Sequence, residues 1–157
     1  MRRCARRPHG TRGSCCRSEG EMLTVGLRAE ARMIVTAPML VPGAKGVFGD
    51  FSAMPPVLAT MYLVGFLEET AIKCILPHQA PGQHSLGTDI NVTHVAPTPE
   101  GMEIRAEAEL IEVAGRSLRF RVTAWDAQGL IGEGTHRRAT IDVARFNEKV
   151  AAKAATA

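Results

Sequence analysis

Between Pro56 and Pro77 runs VLATMYLVGFLEETAIKCIL, a segment that is apolar on nearly every side of a helix and is broken only late by Glu68, Glu69 and Lys73. A helix with so little polar surface has to be covered by other parts of the chain. Its apolar run is too short for a bilayer, so the reading is a core helix, with the preceding prolines at its start. The second half of the chain supplies the cover. Four strand candidates succeed one another there, broadly 85–95, 102–113, 117–126 and 131–143. In the second, Met102, Ile104, Ala106, Ala108 and Leu110 alternate with Glu103, Arg105, Glu107 and Glu109, the two-residue period of a half-buried antiparallel strand.

Leu118, Phe120, Val122 and Ala124 repeat the pattern, and the turn signals at Ala114-Gly115 and Gln128-Gly129 join the last three strands into a meander. A first strand is expected over 27–37, then a Gly- and Pro-punctuated loop, and a terminal helix over 144–155. The fold class is therefore α+β: a curled antiparallel β-sheet wrapped around one long central helix. One-sided wrapping leaves part of the sheet exposed as an edge or face, and pairing two such sheets in a dimer is the simplest remedy.

The net charge of +3 does not describe the domain. Six arginines against Glu19 and Glu21 place +4 in residues 1–21, leaving −1 for residues 22–157. That balance argues against a nucleic-acid groove in the fold. Residues 1–21 also carry Cys4, Cys15 and Cys16, and lack the apolar core of a secretory signal. They are expected to be a disordered basic extension, with Met22 as the natural start of the domain. No metal-ligand spacing of Cys or His is present, and Cys74 suits a small buried hydrophobe, so the expected setting is reducing and cytoplasmic.

For chemistry, His94 is the first candidate. Strict alternation puts it on one face with Leu86, Thr88, Ile90 and Val92, and a ring on so apolar a face needs a partner. An acid in the apolar helix is costly unless paired or catalytic. At 100° per residue Glu68 lies about 80° from Thr60 around the axis, while Glu69 lies about 180° away. If Thr60 belongs to the site, Glu68 is the better acid and Glu69 the solvated one. Yet about 12 Å of helix axis separates Thr60 from Glu68, so one imidazole cannot touch both. A composite site, with the two contributed by different subunits, resolves the difficulty. Gly87 offers an unobstructed backbone N–H or simply a turn or bulge. One of Arg137 and Arg138 must point inward, and Phe51 and Met54 in the loop can cap a pocket or anchor the loop. No dinucleotide fingerprint, Walker loop, zinc-protease motif or serine elbow occurs.

The stretches TMYLVGFLE, SLGTDINVTHVAPTPEG and GEGTHRRATIDVARFN resemble the hot-dog-fold thioesterases of the fluoroacetyl-CoA thioesterase type, over roughly residues 23–149. The resemblance implies a dimer, or a dimer of dimers, that hydrolyses an acyl-CoA at sites between subunits and needs no cofactor or metal. It puts the catalytic roles on Thr60, Glu68 and His94, and the acyl-pocket roles on Gly87 and Arg138. Met54 stands where an aromatic lid residue is expected in the fluoroacetyl-selective member, although Phe51 remains, which favours an ordinary short or medium acyl group. Two other readings use the same residues: a hot-dog dehydratase or hydratase acting on a 3-hydroxyacyl or enoyl thioester, and a non-catalytic acyl-CoA-binding module.

Overall fold

The computed structural model describes residues 23–156. The expectations for residues 1–21 lie outside the described residues. Five antiparallel strands, β1 (Arg28–Ile34), β2 (Gln83–Val92), β3 (Glu103–Ala114), β4 (Ser117–Asp126) and β5 (Gly129–Asp142), form one sheet in the order β1-β3-β4-β5-β2. Helix α1 (Thr60–Ile75) packs on it, mainly against β3 and β1, and α2 (Val143–Ala154) follows β5. Among the described residues no helix is long and apolar enough to cross a membrane.

The alternation in β3 and β4 decides the layering. Ile104, Ala106, Ala108 and Leu110 are buried with Leu118, Phe120, Val122 and Ala124, and they meet Leu63, Phe66, Leu67, Ala71 and Ile75 of α1. The two alanines of β3 leave room for α1 to lie close to the sheet, and Leu63 and Leu67 fill that space with no solvent exposure. On the opposite face the charged partners pair across strands, as in Arg28–Glu109 at 2.9 Å and Arg121–Glu109 at 2.7 Å. Such exposed pairs contribute at most about 1 kcal/mol each, so the core side carries the fold. The β3–β4 hairpin turns through Gly115, whose φ of 59° favours a residue without a side chain.

Four expectations need correction. Helix α1 begins at Thr60 and not at the prolines, because Val57 and Leu58 are held extended by bridges to Pro99 and Leu40 and by a hydrogen bond from Leu58 N to Thr98 O at 2.8 Å. Strand β1 stops at Ile34, and Ala37–Met39 turns as a short 3₁₀ segment with proline at its start. The expected Gly- and Pro-punctuated loop follows, with Val41–Gly46 and Gly49–Ala53 as further 3₁₀ turns within it.

The third correction is to β2, which ends at Val92 and carries a bulge between Gly87 and Asp89. Thr88 is the extra residue, and its hydroxyl donates to Arg137 O at 3.3 Å. One added residue inverts the alternation. Leu86 therefore points to solvent while Ser85 is buried, and only Ile90, Val92 and His94 keep the face expected of them. The fourth concerns α1 itself, which is buried on the sheet side only. Met61, 43% exposed, and Gly65 lie along an open stripe that the single sheet cannot reach.

Candidate active site

Thr60 is the first residue of α1, and the preceding Ala59 provides no side-chain cap. Its position is set by backbone bonds from Ala59 N to Met39 O at 2.9 Å and from Leu58 to Thr98. His94 follows the end of β2. The chain on either side stays tied to β5 through Thr93 N to Glu133 O at 2.9 Å and Val95 N to Ile131 O at 2.8 Å. These two anchors bring His94 Nδ1 to 2.9 Å from Thr60 Oγ1, where the ring tautomer decides which atom donates. Burial pushes the His94 pKa below the usual 6.5, opposed by a backbone hydrogen bond at Ala96, so the ring is neutral and basic at pH 7. Its other nitrogen, Nε2, is buried with no partner among the described residues. Thr60 and His94 line a cleft of about 260 Å³ together with Val41, Val57, Leu58 and Ala96.

Two turns further along α1, Glu68 belongs to a different cluster. Its carboxylate, 37% exposed, sets Oε1 at 3.3 Å from His136 Nε2 and 3.6 Å from Arg138 Nη1. Arg138 is the inward member of the arginine pair on β5, 3% exposed, while Arg137 faces solvent. It donates from Nε to Ser85 Oγ, from Nη2 to Ser85 O and from Nη1 to His136 Nε2, each at 2.9 Å. Since a guanidinium only donates, His136 Nε2 accepts and the ring proton sits on Nδ1, which donates to Asp89 O at 2.8 Å. This is the neutral form, and burial first, then the nearby Arg138 charge, favour it by pushing the His136 pKa down against the pull of the Asp89 bond and Glu68. Burial likewise lowers the Arg138 pKa, and the Glu68 charge raises it.

Gly87 completes this cluster by what it lacks. A Cβ there would overlap Glu68 Oε1 and come within 3.1 Å of His136 Cε1. The bulge expected of this glycine is present, and its additional role is to leave room for the carboxylate. Phe51 and Met54 stand apart from both clusters within the chain. Phe51 stacks at a tilt on Phe48 with centroids 5.2 Å apart, Met54 is 51% exposed, and neither lines the Thr60–His94 cleft.

The structure thus joins Thr60 to His94, and Glu68 to Gly87 and Arg138, but does not bring the two groups together within one chain. Sequence reasoning missed His136, Ser85 and the Asp89 carbonyl. His136 was legible: two residues before Arg138 on an alternating strand, it shares the inward face. Ser85 and Asp89 were hidden by the bulge. Among the described residues no three His, Cys, Asp or Glu side chains are grouped to hold a metal ion.

A five-stranded antiparallel sheet over one helix is the architecture of the hot-dog fold, and the relatives of this chain place it among the thioesterases that use that fold. Solved structures agree on the fold: a hot-dog-like protein of Thermanaerovibrio acidaminovorans matches with a TM-score of 0.73 at 16% identity, covering 87% of this chain and 96% of that chain. The chain belongs to the fluoroacetyl-CoA-specific thioesterase (FlK) family, whose model matches residues 35–144. It is 45% identical over 104 residues to the fluoroacetyl-CoA thioesterase of Streptantibioticus cattleyicolor, covering 66% of this chain and 75% of the relative. The solved structure of FlK matches with a TM-score of 0.81 at 39% identity, covering 85% of this chain and 98% of that chain. A threonine-to-alanine variant of FlK in complex with fluoroacetate matches at 0.80 and 39%, covering 83% and 98%.

Two outcomes are expected. Gly87→Ala should lower kcat/KM by about 10²-fold by displacing Glu68, the order of effect of a shift near 1 Å at a reacting group. The overlap falls on the far end of a side chain, so the melting temperature should be nearly unchanged, and a variant with intact turnover would refute the role of this space. Stability should also depend on pH in one direction. His94 and His136 titrate below 6.5 in the fold, so the unfolded chain binds more protons in the window beneath that value. Their contribution is complete above pH 6.5 and is lost as the pH falls through the folded pKa values. Urea midpoints measured from about pH 8 to pH 5 should therefore drop on the acid side.

Proposed function

We propose that this thioesterase hydrolyses a short-chain acyl-CoA to a carboxylate and free CoA, at a site made of Thr60 and His94 from one subunit and Glu68, Gly87 and Arg138 from its partner. The observation that carries this reading is His94 Nε2, a buried and unpartnered nitrogen on a neutral ring beside Thr60. A buried polar atom without a partner is costly, and here the unpartnered lone pair is the one that can take a proton from water. Glu68 faces the open stripe of α1, so it is available to a second copy. Strand β2, which carries Ser85 and Gly87 and leads into His94, is an edge of the sheet and supports a two-fold pairing that brings the two clusters together.

In this site neutral His94 takes a proton from water, whose oxygen attacks the thioester carbonyl. The bond to sulfur then breaks, and the imidazolium returns the proton to the departing thiolate. Glu68 of the partner stabilises the imidazolium. Its carboxylate is already engaged by Arg138 and lies against His136, which suits a fixed charge better than a nucleophile. Thr60 orients the ring through Nδ1, and Arg138 and the Gly87 N–H bound the acyl group. The chemistry as written consumes only water and requires no cofactor. Met54 in place of an aromatic lid residue supports acceptance of ordinary acyl groups alongside fluoroacetyl.

Thiol release from acetyl-, fluoroacetyl- and hexanoyl-CoA is the direct test. His94→Ala should reduce it by about 10² to 10⁴-fold, the usual contribution of a general base. Unchanged turnover would remove His94 from the mechanism, hydration of an enoyl-CoA without thiol release would identify a hydratase, and binding without either would identify a carrier module. The composite site has its own test. Mixed dimers of Thr60→Ala and Glu68→Gln subunits should regain one intact site, whereas no recovery over either parent would place the whole site within one chain.

A further inference from the structure

His136 has a place in the cluster around Glu68 that the hydrolysis as written does not use. Its ring is buried, and Nε2 sits between two groups of opposite charge, 2.9 Å from Arg138 Nη1 and 3.3 Å from Glu68 Oε1. Arg138 can only donate, so Nε2 offers it a lone pair and the ring proton stays on Nδ1, directed at Asp89 O at 2.8 Å. The same lone pair faces Glu68. An acceptor beside a carboxylate oxygen makes no hydrogen bond, so the ring fastens Arg138 and leaves Glu68 unfastened.

The surrounding groups define what a second ring proton would do. Ser85 holds Arg138 from the other side, accepting from Nε at Oγ and from Nη2 at its carbonyl, which leaves Nη1 to His136 and to Glu68 at 3.6 Å. From β4 the neighbour is Phe120, an uncharged ring whose centroid lies 6.4 Å away. The charged groups facing His136 are Glu68 of α1, Asp89 of β2 and Arg138 of β5. A proton on Nε2 would point at Glu68 Oε1, and the imidazolium would stand beside the Arg138 guanidinium, two like charges in a buried setting.

We propose that His136 is a positioning residue that must be neutral for turnover. As an acceptor it fixes Nη1 of Arg138 and leaves the Glu68 carboxylate free to stabilise the imidazolium of the partner's His94. Protonated, it binds Glu68 itself and repels Arg138, so the site loses both. The inference rests on the acyl-CoA reading above, in which Glu68 serves His94. Burial, the strongest influence on the ring, holds its pKa below 6.5 with the help of the Arg138 charge, so the arrangement is present at pH 7 and is lost in acid.

The test is the acid limb of the rate profile. Log kcat/KM for acetyl-CoA is followed from about pH 8 to about pH 5 in the unmodified protein and in His136→Gln, whose amide oxygen can accept from Arg138 and cannot be protonated. Each proton that must be absent steepens the limb by about one unit of slope, so the unmodified protein should fall more steeply than His136→Gln by about one. His136→Leu, which offers no acceptor, should lose about 10²-fold at about pH 8, and His136→Gln should recover about tenfold of that loss. Equal slopes, or a His136→Leu protein as active as His136→Gln, would overturn the assignment. If the unmodified protein releases no thiol at any pH, the hydrolysis reading is what fails, and nitrogen NMR of the ring then decides His136 alone, as it does if the His136 variants do not fold. In Glu68→Gln the ring should protonate at a lower pH than in the unmodified protein, because the carboxylate that the protonated ring binds is gone, and an unchanged midpoint would overturn the proposal.

Discussion

Everything else in this structure depends on how α1 meets the sheet. Ala106 and Ala108 on β3 let the helix approach closely, and Leu63, Phe66, Leu67, Ala71 and Ile75 are buried in return. Burying five such side chains supplies the apolar contact area that stabilises a domain of this size. It also sets the rotation of the helix, and with it the direction of every remaining side chain. With those residues turned to β3 and β1, Glu68 is carried toward β2 and β5, and Thr60 toward the chain beyond β2. Packing thus places these side chains and leaves the stripe through Met61 and Gly65 exposed.

The polar cluster around Arg138 shows how a charge is kept inside such a core. Desolvating a guanidinium and a carboxylate is expensive unless hydrogen bonds replace the lost water. Arg138 has three such bonds, two to Ser85 and one to His136, besides the Glu68 charge at 3.6 Å. His136 in turn is fixed by Asp89 O, so its lone pair can only accept. The group is rigid because each member restricts the next. At Gly87 an added Cβ would displace the Glu68 end of this group. Around His94 the logic is reversed: one nitrogen is satisfied by Thr60 and the other, Nε2, is buried without a partner among the described residues.

Most of the sheet was legible because β3 alternates from Glu103 to Leu110 and β4 from Ser117 to Ala124, so burial and polarity agree over those stretches. β2 was not, since its bulge at Thr88 inverts the face that Leu86 and Ser85 present; Gly87 allowed a bulge there but did not require one. The start of α1 was misplaced for a similar reason: prolines suit a helix start, but long-range bonds to Leu40, Thr98 and Pro99 held Val57 and Leu58 extended. Local preferences amount to fractions of a kcal/mol per residue and yield to such contacts.

Periodicity and resemblance by themselves determined the α+β class, the central helix, the choice of Glu68 over Glu69 and the separation of Thr60 from Glu68. All of these derive from repeat lengths or from residue identity, which the chain carries locally. Only the tertiary structure decided that Thr60 meets His94, that Ser85 anchors Arg138, and that Gly87 leaves space for a carboxylate. The first two contacts join residues 34 and 53 positions apart, and the third turns on a bulge. Their distances are set by packing across the sheet rather than by any stretch of sequence.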